Sequence, residues 1–139
     1  MSTHPLVEQF YARIWNSGDE NVGSLLTEDF TFRGSLGTPA HGHSEFLKYV
    51  RSVRGSLANY NCEILECVTE FPKAFARMCF SGVHVAEFRG FAPTGKHVQW
   101  NGAALFTFRD GLISELWVLG DLVGLDALLR KNADCHSRY

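Results

Sequence analysis

The chain has 139 residues, the size of one ordinary domain with one core. A formal charge of −2 and the lack of any basic stripe argue against a nucleic-acid partner. No apolar run is long enough to cross a membrane and no charged start leads into an apolar segment, so a cytoplasmic protein without a membrane partner is expected.

Leu6, Phe10 and Ile14 recur every fourth residue, with Val7, Tyr11 and Trp15 beside them, which predicts a helix over 5–16 stopped by Asn16-Ser17-Gly18. Asp19 then suits the cap of a short helix carrying Val22, Leu25 and Leu26. A short strand is predicted from Asp29 to Leu36, with Phe30 and Phe32 on one side. A loop over Gly34–Gly42 leads into a third helix, 44–53, whose apolar face holds Phe46, Leu47, Val50 and Val53. The second half changes character. Four long strands are predicted over 59–71, 74–90, 97–109 and 112–121, joined at Pro72-Lys73, Ala92-Pro93-Thr94-Gly95 and Asp110-Gly111. Asp-Gly between apolar runs is a strong hairpin signal. Leu122, Leu125, Leu128 and Leu129 predict a short closing helix, and the polar stretch Lys131–Tyr139 is expected to fray. Helices first and a long antiparallel meander afterwards make an α+β fold. Such a sheet curls around its helices, and an aromatic content of 13% favours an apolar cavity between the layers.

Metal chemistry finds little support. None of the four cysteines forms a CxxC pair, and Cys62 and Cys67, five apart, are expected on opposite faces of a strand. His41-Gly42-His43 has no third ligand at a recognisable spacing. No metal and no cofactor site is expected.

Three segments are informative together. The first is Ser81-Gly82-Val83-His84-Val85-Ala86-Glu87-Phe88, and the second is Gly90-Phe91-Ala92-Pro93-Thr94-Gly95-Lys96-His97-Val98. The third is Phe108-Arg109-Asp110-Gly111-Leu112-Ile113-Ser114-Glu115-Leu116-Trp117, followed by Gly120-Asp121. With Phe10-Tyr11, Asn16-Ser17-Gly18-Asp19 and Leu25-Leu26-Thr27-Glu28-Asp29-Phe30, they resemble the SnoaL-like polyketide cyclase family of the nuclear transport factor 2-like superfamily, over roughly 5–129. The Pro-Thr-Gly turn and the Trp117-x-x-x-Asp121 pair carry most of the resemblance. Val83, Ala86 and Leu112 depart from the family's usual Thr, Gly and Lys. The resemblance implies a cone in which a curved antiparallel sheet packs on three N-terminal helices. It also implies cofactor-independent, aldol-type chemistry on a polyketide-like or polycyclic carbonyl compound, with Asp121 as acid and base.

On a regular pleat Ile113, Glu115, Trp117, Leu119 and Asp121 share one face. A carboxylate turned into an aromatic cavity loses solvation and becomes a stronger base. Asp121 is equally placed to cap the last helix. His84 lies mid-strand and either donates to a substrate oxygen or is an ordinary strand histidine. Gln99 and Asn101 share one face of their strand and would bind carbonyl oxygens if that face looks inward; if it does not, they are a solvated stripe and Trp100 is core or interface. Tyr11, Trp15, Phe30, Phe32 and Trp117 are candidate pocket walls or plain core. The expected ligand is flat, mostly apolar and two to four rings in size. Two further readings stay open: a non-catalytic domain that holds a small apolar molecule, and an isomerase or epoxide hydrolase. The last would need an arginine between acids, and only Arg89 and Arg109, both near turns, are on offer. Ala103-Ala104-Leu105-Phe106 is apolar on both faces, so a homodimer through the outer sheet face is expected.

Overall fold

The alternation of apolar and polar residues in the second half produces long strands with one buried face, and the helices cover that face. The computed structural model describes residues 3–137. In chain order these form α1 (Pro5–Gln9), a π-helical continuation (Phe10–Asn16), β1 (Leu26–Arg33), β2 (Pro39–His41) and α2 (Gly42–Ser56). Then follow β3 (Leu57–Glu70), β4 (Lys73–His84), β5 (His97–Arg109), β6 (Leu112–Gly120) and α3 (Leu122–Ser137). The strands form one six-stranded sheet in the order β2-β1-β6-β5-β4-β3. Every neighbouring pair is antiparallel except β1 and β6, which run parallel, so the sheet is mixed. This is the expected α+β cone. Two of its helical segments precede the long strands and the third, α3, closes the chain.

The inner face of the sheet carries Ala74, Ala76, Met78 and Phe80 on β4 and Val98, Trp100, Ala104 and Phe106 on β5, all buried. Against it pack Phe10, Ile14 and Trp15 from the first helix and Phe46, Val50 and Val53 from α2. Phe46 is the hub. Its ring lies 4.8 Å from Phe32, 5.2 Å from Phe30, 5.8 Å from Phe10 and 6.1 Å from Trp15, centroid to centroid. Such edge and offset contacts add to what burial alone contributes. Among the described residues no helix is long and apolar enough to cross a membrane.

Several local expectations change. Residues 19–25 form turns instead of a helix: Asp19 Oδ1 accepts the Asn21 N–H at 2.9 Å, and the Val22 carbonyl accepts from Leu25 and Leu26. The side chain of Asp19 thus closes a local turn that competes with helix start. The predicted 34–42 loop contains β2, and α2 is one turn longer than 44–53. β4 ends at His84, because the next backbone N–H groups, of Val85 and Ala86, turn to the Ser56 carbonyl. The stretch expected to fray stays helical to Ser137, with Asn132 buried and its side-chain amide donating to the His97 carbonyl. Arg138 and Tyr139 lie outside the described residues.

Two bulges overturn face assignments made from regular alternation. A register shift between Ile64 and Glu66 brings both Cys62 and Cys67 inside, opposite Phe80 and Ala76. A shift at Thr107–Phe108, opposite Ile113–Glu115, turns Ile113 inward while Glu115, Trp117 and Leu119 face out. One extra residue in a strand inverts every side chain beyond it.

Candidate active site

Two adjoining spaces share part of their lining. The inner one is an aromatic chamber. Only about 20 Å³ of it is open to the centre of a water molecule, room for about one water. Tyr11, Trp15, Phe32, Tyr60, Phe80 and Trp100 form its walls, with Ser35, Leu116 and Val118 between them. Leu36, Tyr49 and Val53 close it on one side. These same three residues border an outer cleft of about 740 Å³ on the same measure, between α2, the 34–40 turn and the 87–89 loop. Leu36, Tyr49 and Val53 thus border both the cleft and the chamber.

The sequence builds the chamber by several devices. The π-helical turns place Phe10, Tyr11, Ile14 and Trp15 all on the buried side. Gly34 allows the Tyr49 ring to lie on the backbone: a Cβ there would stand 2.5 Å from the Tyr49 hydroxyl oxygen. Gly120 does the same for the turn: a Cβ would stand 2.9 Å from the Ser35 carbonyl oxygen and 3.2 Å from Trp100 Nε1. The Arg54 guanidinium holds the end of the first helix through the Trp15 carbonyl. On the cleft side, Arg89 pairs with Asp126 through two hydrogen bonds of 2.6 and 3.0 Å, and Ser56 Oγ donates to the Glu87 carbonyl.

The chamber is electrically neutral. Among the described residues no carboxylate, imidazole, ammonium or guanidinium lines it. Burial pushes the phenols of Tyr11 and Tyr60 well above their usual range and that of Tyr49 to about 12. Burial also pushes the nearby Cys62 thiol up. These groups stay protonated at neutral pH. The Tyr11 hydroxyl and Trp100 Nε1 are buried without a hydrogen-bond partner among the described residues.

Of the residues selected from sequence, Tyr11, Trp15 and Phe32 line the chamber. Phe30 does not; it is fully buried in the core against Phe46. Gln99 and Asn101 point to the outer face, because even positions of β5 are the buried ones. Trp117 is also outside, 45% exposed, with the Arg33 guanidinium 5.5 Å from its ring centre. Asp121 is exposed, and its Oδ1 accepts the Gly124 N–H at 2.9 Å, which is an N-cap of α3. Its backbone nonetheless follows Gly120, which touches Ser35 and Trp100 of the chamber wall. His84 is fully buried at the inner end of β4, with neither ring nitrogen hydrogen-bonded and its ring 6.3 Å from Phe88. Phe88 borders the outer cleft. Arg89 and Arg109 are engaged by Asp126 and Asp29, and neither reaches the chamber. His43 bonds the Thr27 carbonyl at 2.8 Å. Among the described residues no group of three metal-ligating side chains occurs.

Sequence reasoning missed Tyr49, Tyr60, Trp100 and Ser35 as walls. Tyr49 follows Phe46 by three residues on α2, and Trp100 is on the opposite face from Gln99, so the helical and strand periods held the signal.

Comparison with known proteins agrees with this fold. A search among curated protein sequences found no match. Solved structures do match. TsrD from Streptomyces laurentii superposes with a TM-score of 0.79 at 26% identity, over 89% of this chain and 91% of that one. IdmH from Streptomyces antibioticus gives a TM-score of 0.78 at 24% identity, over 90% and 96%. A protein with a ketosteroid isomerase-like fold from Catenulispora acidiphila gives 0.76 at 16%, over 91% and 92%. The last two, at these identities, are evidence of shared fold alone. The family model for SnoaL-like polyketide cyclases matches residues 5–129, the span that contains the cone, its chamber and the Trp117–Asp121 segment, and the chain belongs to that family.

Proposed function

We propose that the chain is a cofactor-independent enzyme that performs acid/base, aldol-type chemistry on a polyketide-like or polycyclic carbonyl compound. The observation that carries this reading is the neutral aromatic chamber, which shares Leu36, Tyr49 and Val53 with a larger cleft. Aromatic walls hold a planar ring system with little loss of side-chain entropy. In the proposed step a carboxylate removes a proton from carbon next to a carbonyl. The resulting enolate carbon attacks a second carbonyl of the same molecule, forming a carbon–carbon bond. The new alkoxide then takes the proton back, and no other reactant is consumed. Asp121 is the proposed acid and base. In this reading its carboxylate exchanges the Gly124 N–H, which it accepts in the structure, for substrate. His84 is the proposed orienting donor at the Phe88 side.

One observation favours a second reading, a domain that holds a small apolar molecule without turnover: Asp121 is already used as a helix cap, and the chamber walls carry no general base. Deuterium exchange separates the two. Enolisable polycyclic keto-esters are incubated with the protein in D₂O, and label at the carbon next to the carbonyl is followed by NMR. Proton transfer predicts accelerated labelling that Asp121→Asn abolishes. Binding without any acceleration by wild-type protein establishes the second reading.

A further inference from the structure

Buried hydrogen-bonding groups in folded proteins nearly always have partners, so two unpartnered donors in one small cavity require an explanation. Tyr11 Oη and Trp100 Nε1 are that pair. They come from different elements, the π-helical segment and β5, and both residues are at most 4% exposed. Both line the inner chamber and neither borders the outer cleft. The rest of the wall supplies hydrocarbon and ring faces, apart from the hydroxyls of Ser35, Tyr49 and Tyr60; of these, Tyr49 is engaged with Ser35 and Leu36, and Tyr60 with Cys62. The indole N–H is a donor only, and a phenol kept protonated by burial donates as well.

We propose that Tyr11 and Trp100 are the specificity-determining residues of the inner chamber, where their two donors select a planar ligand whose leading edge carries an uncharged acceptor, a ketone or quinone oxygen. This rests on the chamber being the ligand site, as in the functional reading above, but it is independent of any turnover. An acceptor that reaches either donor gives it the partner it lacks among the described residues. A plain hydrocarbon leaves them unmet, and a carboxylate enters a site that holds no compensating cation. The ligand's orientation follows: the carbonyl edge goes past Leu36 and Tyr49 into the chamber, and the remaining rings stay in the cleft.

The test compares two probes of the same bicyclic skeleton, 1-tetralone and tetralin, by titration calorimetry with the full chain. Tetralone is expected to bind about tenfold or more tightly than tetralin, from neutral hydrogen bonds. Tyr11→Phe and Trp100→Phe are each expected to reduce that preference about fivefold, with tetralin affinity little changed. Circular dichroism confirms folding of each variant. A second readout needs no variant: the carbonyl ¹³C resonance of labelled tetralone moves downfield on binding to wild-type protein, as a hydrogen-bonded ketone does. Equal affinity for the two probes in wild-type protein overturns the proposal, since a resident water then satisfies the donors. A carbonyl resonance unmoved in the complex overturns it too. Loss of deuterium exchange together with a retained tetralone preference sinks the catalytic reading and leaves this one standing.

Discussion

Asp121 is where the proposed chemistry and the observed structure meet, and two variants separate its roles. Its Oδ1 accepts the Gly124 N–H at 2.9 Å and its carbonyl accepts from Leu125 at 3.1 Å, so the residue starts α3. Loss of such a cap costs about 1 kcal/mol. Unfolding entropy of about 2.1 cal/mol/K per residue over a chain of this length converts that into roughly 3 to 4 °C of melting temperature. The penalty is felt because α3 anchors Leu125 and Leu129, both fully buried. Asp121→Ala is therefore expected to melt about 3 to 4 °C below wild type, whereas Asp121→Asn, an equally good cap, stays within about 1 °C. Thermal circular dichroism at neutral pH reads both. Asp121→Asn also removes the base while keeping the cap, so under the proposed mechanism it folds like wild type and exchanges no deuterium. The reasoning is refuted if Asp121→Ala melts with wild type, or if Asp121→Asn falls as far as Asp121→Ala.

Phe46→Ala removes a ring that touches Phe10, Trp15, Phe30 and Phe32, and is expected to destabilise by about 3–5 kcal/mol in chemical denaturation. Tyr11, Tyr49 and Tyr60 have folded pKa values raised by burial, so their stabilising effect is full below about pH 10 and declines as pH rises from there toward the folded values. Their phenolate absorbance is expected to appear together with unfolding; ionisation of all three in a protein with intact circular dichroism would contradict the chamber's burial. Val68, Phe75, Leu105 and Trp117 are exposed and pair in register across β3, β4, β5 and β6, which is the apolar row expected to meet a second copy. Trp117→Glu should shift the protein from dimer to monomer in sedimentation, and a wild-type monomer at micromolar concentration would remove this expectation.

Much of the cone was legible because long strands repeat one decision many times. The β5 alternation and the Asp110-Gly111 hairpin, with φ of 55° and 76°, needed no tertiary information. Faces were less legible where one residue changes the phase. Cys67 and Trp117 were assigned to faces by counting from a regular strand, and a bulge lay between the reference residue and each of them. Which face of β5 looks inward was open in its alternation, and the structure turns Trp100 in and Gln99 and Asn101 out. Parallel pairing of β1 with β6 brings Ser35 to Gly120, a contact 85 residues apart in the chain that no local pattern encodes. For Asp121 the sequence held both roles open, and the structure places its side chain on the cap.

The π-helical segment has a consequence for how this protein can change. In an α-helix each residue turns the chain by about 100°, so one inserted or deleted residue swings everything after it around the axis. A π turn absorbs one extra residue and leaves both flanks in phase. Between Phe10 and Asn16 the first helix carries such a surplus. Deleting one residue there, Ala12 for example, lets the segment tighten into ordinary α-helix without moving its ends, and Asn16 can still bond Cys62 through both its amide groups. What changes is only how many side chains look inward at once. The segment is thus a place where ligand preference can be altered by length instead of by substitution, while the sheet that surrounds it stays as it is.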